Sequence, residues 1–218
     1  DYARVNENGE LGKTECWYVL DAKKDSKLIY GHTAKTKEEF DAAIDNEEWD
    51  KLFVEEGVQK GDFFYIPAGT LHAIGEGILI YEVQQNSDTT YRVYDYDRVD
   101  KDGNKRELHI EKTKDVTKVP FKKVATTREV ENKEGATITY LADERYFAVY
   151  KLDVSGKVTL EKNKTGNLFT VLEGSGVVRV GGDSFDVKKG DSFILTTACD
   201  TFELEGSMFL IGSYLLVQ

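Results

Sequence analysis

The chain repeats itself, and this limits what it can fold into more than any other feature. Gly61-Asp-Phe-Phe-Tyr-Ile-Pro-Ala-Gly-Thr-Leu-His72, with Glu76-Gly77 behind it, aligns with Gly190-Asp-Ser-Phe-Ile-Leu-Thr-Thr-Ala-Cys-Asp-Thr201, with Glu205-Gly206 behind it. All aligned pairs lie 129 residues apart. Trp17-Tyr-Val-Leu-Asp-Ala22 aligns likewise with Phe169-Thr-Val-Leu-Glu-Gly174, 152 residues on. The offsets differ by 23 residues, close to the length of one segment with helical periodicity. There, residues 35–44 carry a capping box, Thr36 with Glu39 three positions on, and then Phe40, Ala43 and Ile44 at helical spacing. Residues 47–53 predict a second short helix with Trp49, Leu52 and Phe53 on one face. Two copies of one β-unit, the first with a helical insertion over about 35–56, account for the pattern.

The remaining periodicity is that of strands. β-branched and aromatic runs at 16–21, 27–30, 63–66 and 78–84, and again at 148–153, 168–172, 176–180, 192–195 and 208–214, are separated by turn residues. Strands this short and this regularly spaced suggest a mainly β sandwich or barrel, and the repeat makes it two barrels, residues 1–98 and 131–218. Residues 99–130 are polar, lysine-rich and contain Pro120; they read as a connection with short strands around Leu108 and Val124.

The repeat also says where chemistry can sit. His72 aligns with Thr201, and Glu15 aligns with Asn167. Both strong ligand candidates of the first copy are replaced in the second, so any metal belongs to the first copy. The frame around His72, Gly61-x5-Pro67-x-Gly69-x2-His72, has the spacing of the second cupin motif, which implies that the barrels are jelly-rolls. A tight turn, a strand and a bend at Pro67-x-Gly69 then aim an imidazole inward, and a rigid strand fixes its direction. Glu76 stands where that motif usually carries asparagine. Glu15 opens an apolar strand, where a glutamate on its own is usually solvated; beside imidazoles a carboxylate suits zinc as well as harder divalent ions.

Composition narrows the function classes. No apolar run approaches the roughly 20 residues of a membrane helix. A formal net charge of -11 argues against nucleic-acid and anionic-membrane partners, but a small phosphorylated substrate needs only a local group of cations. Cys16 and Cys199 form no CxxC pair and no disulfide framework. No signal peptide is visible, and the expected compartment is the cytoplasm. Asp1 opens the chain and Met208 is its only methionine, so the natural translation start is expected upstream. Oligomeric state is left open.

Three blocks in order carry a resemblance: Gly12-Lys-Thr-Glu-Cys-Trp-Tyr-Val-Leu-Asp21, the stretch 61–77, and Glu82-Val-Gln-Gln-Asn-Ser-Asp-Thr-Thr-Tyr-Arg-Val-Tyr-Asp-Tyr-Asp-Arg98. They resemble the short bacterial mannose-6-phosphate isomerases, two-cupin enzymes, over nearly the whole chain and more loosely in the second copy. The resemblance implies a zinc-dependent aldose–ketose isomerase interconverting mannose 6-phosphate and fructose 6-phosphate. It implies that Glu15 and His72 are two of four zinc ligands, that Lys13 lies at the substrate site, and that Arg92 is the catalytic arginine. The other two ligands, a glutamine and a histidine in a Gln-x-His-Pro motif, would lie upstream of Asp1. Two readings of this chain stay open: an isomerase, here as an inactive fragment, or a non-catalytic sugar-binding or regulatory cupin module. Arg92 and Arg98 can each be read instead as ordinary surface ion pairs, and Lys13 as solvated. His32 and His109 lie outside any motif and read as structural or exposed.

Overall fold

The computed structural model describes residues 2–126, 128–196 and 198–216, which form two compact units, Asp1–Val124 and Ala125–Gln218. The first begins with a one-turn helix, α1 (Tyr2–Asn6), followed by strands β1 (Glu15–Ala22) and β2 (Lys27–His32). Helices α2 (Lys37–Asp45) and α3 (Trp49–Leu52) precede strands β3 (Phe53–Gly57), β4 (Phe63–Ile66), β5 (His72–Ala73) and β6 (Ile78–Gln84), and helix α4 (Ile110–Val116) comes last. Two three-stranded sheets result, β4-β1-β6 and β3-β2-β5. Trp17 and Val19 of β1, Leu28 and Tyr30 of β2, and Phe64 and Ile66 of β4 form one core, so the two sheets face each other across it. β1 is the central strand of its sheet and its first five residues are all buried.

The expected cap forms with its return bond displaced by one residue: the Glu39 N–H donates to Thr36 Oγ1 at 3.2 Å, and the Glu39 carboxylate accepts at 2.8 Å from the N–H of Lys35, just before the N-cap. Such a cap stabilises a helix start by about 0.5–2 kcal/mol. Phe40 and Ile44 then enter a second core with Leu52 and Val93. The second helix is shorter than expected, because residues 53–57 leave it to pair with β2. Helix α4 stands where a short strand was expected near Leu108. His109 is its N-cap, and Thr113 and Lys114 are buried.

The second unit contains β7 (Glu129–Lys133), β8 (Ala136–Glu144), β9 (Phe147–Glu161), β10 (Asn167–Val180), β11 (Asp183–Lys188), β12 (Ser192–Leu195) and β13 (Thr201–Leu215). Its antiparallel order is β11-β10-β13-β9-β8-β7, with β12 also on β10. The ladders of both units stay open rather than closing into rings, as in jelly-rolls. Residues 168–172 and 176–180, read as two strands, are the halves of one bent strand. A row of glycines crosses it, with Gly176, Gly206 and Gly156 in register on β10, β13 and β9. A Cβ on Gly206 would sit 2.7 Å from the Gly176 Cα, so the strands fit together there only without side chains.

The repeat is copied atom for atom in its turn. The Val19 N–H donates to the Asp62 carbonyl and the Gly61 N–H to the Val19 carbonyl; Val171 makes the same two bonds with Asp191 and Gly190, all at 2.9 Å. Asp62 and Asp191 each accept at 2.9 Å from the backbone N–H three residues earlier. Glu15 pairs with Ile66 as Asn167 pairs with Leu195. The register of β1 on β6 shifts between Val19 and Asp21, and that of β10 on β13 at the aligned Val171 and Glu173. The insertion lies between β2 and β3, where the second copy turns from β10 to β11 through Gly181 and Gly182 alone.

Candidate functional site

β1 and β5 bring the two ligand candidates together. Glu15, the first residue of the central strand, is 1% exposed. His72 reaches it from β5, with Nε2 2.9 Å from Glu15 Oε1. Two features fix the imidazole. Its Nδ1 lies 2.8 Å from the Thr70 carbonyl, and the Trp17 indole packs edge-on at 5.2 Å. Trp17 is held in turn by its Nε1, which donates to Glu82 Oε2 at 2.8 Å.

A carbonyl can only accept, so Nδ1 carries the hydrogen and a neutral His72 presents a lone pair at Nε2. Two lone pairs facing each other at 2.9 Å repel unless a proton or a cation lies between them. The other carboxylate oxygen, Oε2, is buried without a hydrogen-bond partner. Lys13 Nζ approaches it at 3.2 Å as an ion pair, though not as an aligned hydrogen bond. Burial pushes the Glu15 carboxyl up, but the bond and charge of His72 and the charge of Lys13 outweigh it and hold the group below its usual range. This donor set, one carboxylate and one imidazole of fixed tautomer, fits a divalent metal. Among the described residues no third His, Cys, Asp or Glu joins it.

Pro67 and Gly69 shape the approach to His72. Gly69 has φ +84°, and a Cβ there would lie 2.6 Å from the Val116 carbonyl at the end of α4. Its own carbonyl accepts from the Lys118 N–H at 3.0 Å. The motif glycine therefore seats the segment following α4 against the bend.

A cavity of about 520 Å³ opens in this unit, with Lys13, His72 and Arg92 among its lining residues. Arg92 sits in irregular chain held by its neighbour in space, His109. The Arg92 N–H donates to His109 Nδ1 at 3.1 Å, the His109 N–H returns to the Arg92 carbonyl at 2.7 Å, and Arg92 Nη1 donates to the Glu107 carbonyl at 3.3 Å. His109 is thus structural, with a partner the sequence did not suggest. The turn signal Asp102-Gly103-Asn104 was the available clue: it brings Val99 opposite Lys105 and returns the chain alongside Arg92. Arg98 and Arg106 also line the cavity, both ion-paired to the buried Asp95. His32 is buried, with Nε2 3.0 Å from the Lys118 carbonyl and the ring against Phe40.

In the second unit the aligned polar position is closed. Asn167 Nδ2 donates to the Tyr150 hydroxyl at 2.7 Å, and its Oδ1 accepts from the Asn163 N–H at 2.7 Å. Thr201 is exposed. The same strand position thus holds a carboxylate with one oxygen lacking a hydrogen bond in one copy and a satisfied amide in the other.

Residues 136–215 match the family model described as mannose-6-phosphate isomerase, cupin domain. The chain is 48% identical over 215 residues to mannose-6-phosphate isomerase ManA of Bacillus subtilis, covering 99% of this chain and 68% of that one. It is 45% identical over 213 residues to a mannose-6-phosphate isomerase of Streptococcus mutans, covering 98% and 67%. The crystal structure of the mannose 6-phosphate isomerase from Bacillus subtilis superposes with a TM-score of 0.94 at 43% identity, over 98% of this chain and 68% of that one. By sequence and by fold, the chain belongs to the mannose-6-phosphate isomerase family of cupin enzymes.

Proposed function

We propose that this chain supplies the Glu15–His72 half of a zinc-dependent site that interconverts mannose 6-phosphate and fructose 6-phosphate. One observation carries the reading: a buried carboxylate and a tautomer-fixed imidazole meet at 2.9 Å beside a cavity lined with cations, an arrangement that a cation relieves. Glu15 and His72 would hold the zinc with the two ligands of an upstream Gln-x-His-Pro motif. When bound, zinc polarises sugar oxygens for proton transfer between C1 and C2. Arg92 orients the substrate and stabilises negative charge developing on its oxygens. Lys13 holds a sugar oxygen and balances the charge of Glu15. Trp17 and the Thr70 carbonyl keep the imidazole aimed.

The substrate is a small sugar phosphate, and nucleic acid and membranes are not partners. The cytoplasm is the proposed compartment, supported by two free cysteines, one of them buried. No helix among the described residues is long and apolar enough to cross a membrane. Metal analysis and a coupled assay for fructose 6-phosphate, run on this chain and on one extended upstream, test the reading. The extended chain should hold zinc and turn over, and Arg92→Ala should remove turnover while leaving zinc in place. A second reading, a sugar-binding cupin module without turnover, is favoured by the two-ligand set of the described residues. It requires sugar phosphate to bind both lengths of chain and neither to isomerise it.

A further inference from the structure

β6 ends at Gln84, and the chain runs on to Arg92 without regular structure. A charged side chain at the end of such a run is aimed only if the run is fastened. Residues 7–14, which lead into β1, fasten it. The Gln85 N–H donates to the Thr14 carbonyl at 2.9 Å, and the Thr14 N–H donates to Gln85 Oε1 at 3.0 Å. Ser87 Oγ donates to the Leu11 carbonyl at 2.6 Å, and the Tyr91 hydroxyl donates to Glu7 Oε1 at 2.9 Å. The two segments therefore run antiparallel. Their first contact sits beside Glu15, and their last sits beside Arg92.

The last contact is enclosed on several sides. Glu7 Oε1 also accepts from Lys112 Nζ of α4 at 2.6 Å, and that ammonium lies 5.7 Å from the centre of the Tyr91 ring. Tyr2 packs edge-on against the same ring at 6.0 Å, and its own hydroxyl donates to Asp115 of α4 at 3.0 Å. The His109 ring, whose Nδ1 accepts from the Arg92 N–H, meets Tyr91 at 6.2 Å. Among the five residues of α1 only Ala3 is buried, so polar contacts hold this helix more than apolar packing does. The bond from Lys112, with that from Tyr91, holds the Glu7 carboxyl below its usual range, while burial and Glu7 push the Tyr91 hydroxyl up. Near neutral pH the carboxylate accepts and the phenol donates, which is the strong form of this bond.

The ion pair itself contributes little to stability, because Glu7 and Lys112 are both partly exposed. Its consequence is one of placement, since Tyr91 and Arg92 are consecutive and Arg92 lines the cavity. Resting on the isomerase reading, in which Arg92 acts on the sugar, we propose that Glu7 is a positioning residue for the reaction. By anchoring the Tyr91 hydroxyl it sets where Arg92 stands relative to Lys13 and Glu15. Glu7 does not appear among the described residues lining the cavity, so it acts through Tyr91.

Steady-state kinetics of the upstream-extended protein, with turnover counted per folded chain, and amide hydrogen exchange test this. Glu7→Ala should lower kcat roughly tenfold and move KM less than about threefold. Tyr91→Phe keeps the ring, loses the donor and should do the same, and the double variant should be no worse than either single one. Glu7→Gln keeps an acceptor oxygen for the hydroxyl and should retain most of the turnover. In Glu7→Ala the Arg92 and His109 amides should lose roughly tenfold of their protection from exchange, with the Val171 amide of the second unit unchanged. The proposal is overturned if Glu7→Ala keeps kcat within about twofold, if Glu7→Gln falls as far as Glu7→Ala, or if protection at Arg92 is unaltered. Failure of the isomerase reading looks different: the wild-type extended protein does not turn over, and exchange at Arg92 alone then decides whether Glu7 fixes it.

Discussion

Replacing Asn167 by leucine should destabilise the second unit by about 2–5 kcal/mol. Asn167 is 3% exposed, and leucine roughly fills its volume, so little of the cost comes from a cavity. What is lost is polar pairing: the Tyr150 hydroxyl loses its donor and the Asn163 N–H loses its acceptor, both at 2.7 Å. A buried group left unpaired costs about 1–3 kcal/mol, so two such groups would cost about 2–6 kcal/mol, and partial relaxation around them trims the upper end to the stated range. Tyr150 is 6% exposed, and burial pushes its hydroxyl pKa well up, so ionisation offers no relief. Adding Tyr150→Phe removes one stranded group, and the double variant should recover about 1 kcal/mol relative to the sum of the singles. Urea denaturation followed by far-ultraviolet circular dichroism reports the loss, while fluorescence of Trp17 and Trp49 follows the first unit alone. A cost below about 0.5 kcal/mol, or strict additivity, would refute the claim that this position is a closed structural amide.

Three further outcomes are expected. His32 is buried with Nδ1 unpartnered, and burial lowers its pKa below 6.5, so its neutral form is favoured in the fold. The unfolded chain then binds more protons as pH falls below about 6.5; stability is full above that value, declines below it, and His32→Gln should flatten the decline in urea midpoints. Gly69→Ala should destabilise the first unit by roughly 1–3 kcal/mol, since its φ is +84° and the new methyl would meet the Val116 carbonyl. In the upstream-extended protein His109→Ala should lower turnover by roughly tenfold to a hundredfold through the Arg92 segment, and His109→Asn, with an acceptor near the Nδ1 position, should keep most of it.

The parts of this protein legible in its sequence are those fixed by local pattern. Residues 63–66, 78–84 and 192–195 are strands to the residue, because each is an apolar or aromatic run bounded by turn residues. The aligned repeat pointed to Glu15 opposite Asn167, and the shared register shift beside Val19 and Val171 gives that alignment a physical basis. What escaped was non-local. β10 was split in two because Gly174-Ser-Gly176 looks like a turn, although glycine there serves a bend within one strand. β7, β3 and β11 carry too many charged residues to stand out, whereas β8, charged only at Asp143 and Glu144 and mostly buried, went unread despite its β-branched and aromatic run. Helix α4 was missed because its amphipathic signal is weak over seven residues and its docking depends on Gly69, far off in sequence. The Arg92–His109 pairing is equally non-local, and only the turn signal Asp102-Gly103-Asn104 hinted that the chain returns alongside Arg92.

In the proposed site Glu15 and His72 act as one cation-holding pair. The most direct test is a zinc titration of the upstream-extended protein, followed by the ¹⁵N resonances of the His72 imidazole. Zinc should move Nε2, leave the proton on Nδ1 facing Thr70, and bind at least about tenfold more weakly after Glu15→Gln, with Asn167→Asp without effect. A His72 ring that ignores zinc, or an affinity untouched by Glu15→Gln, would contradict it.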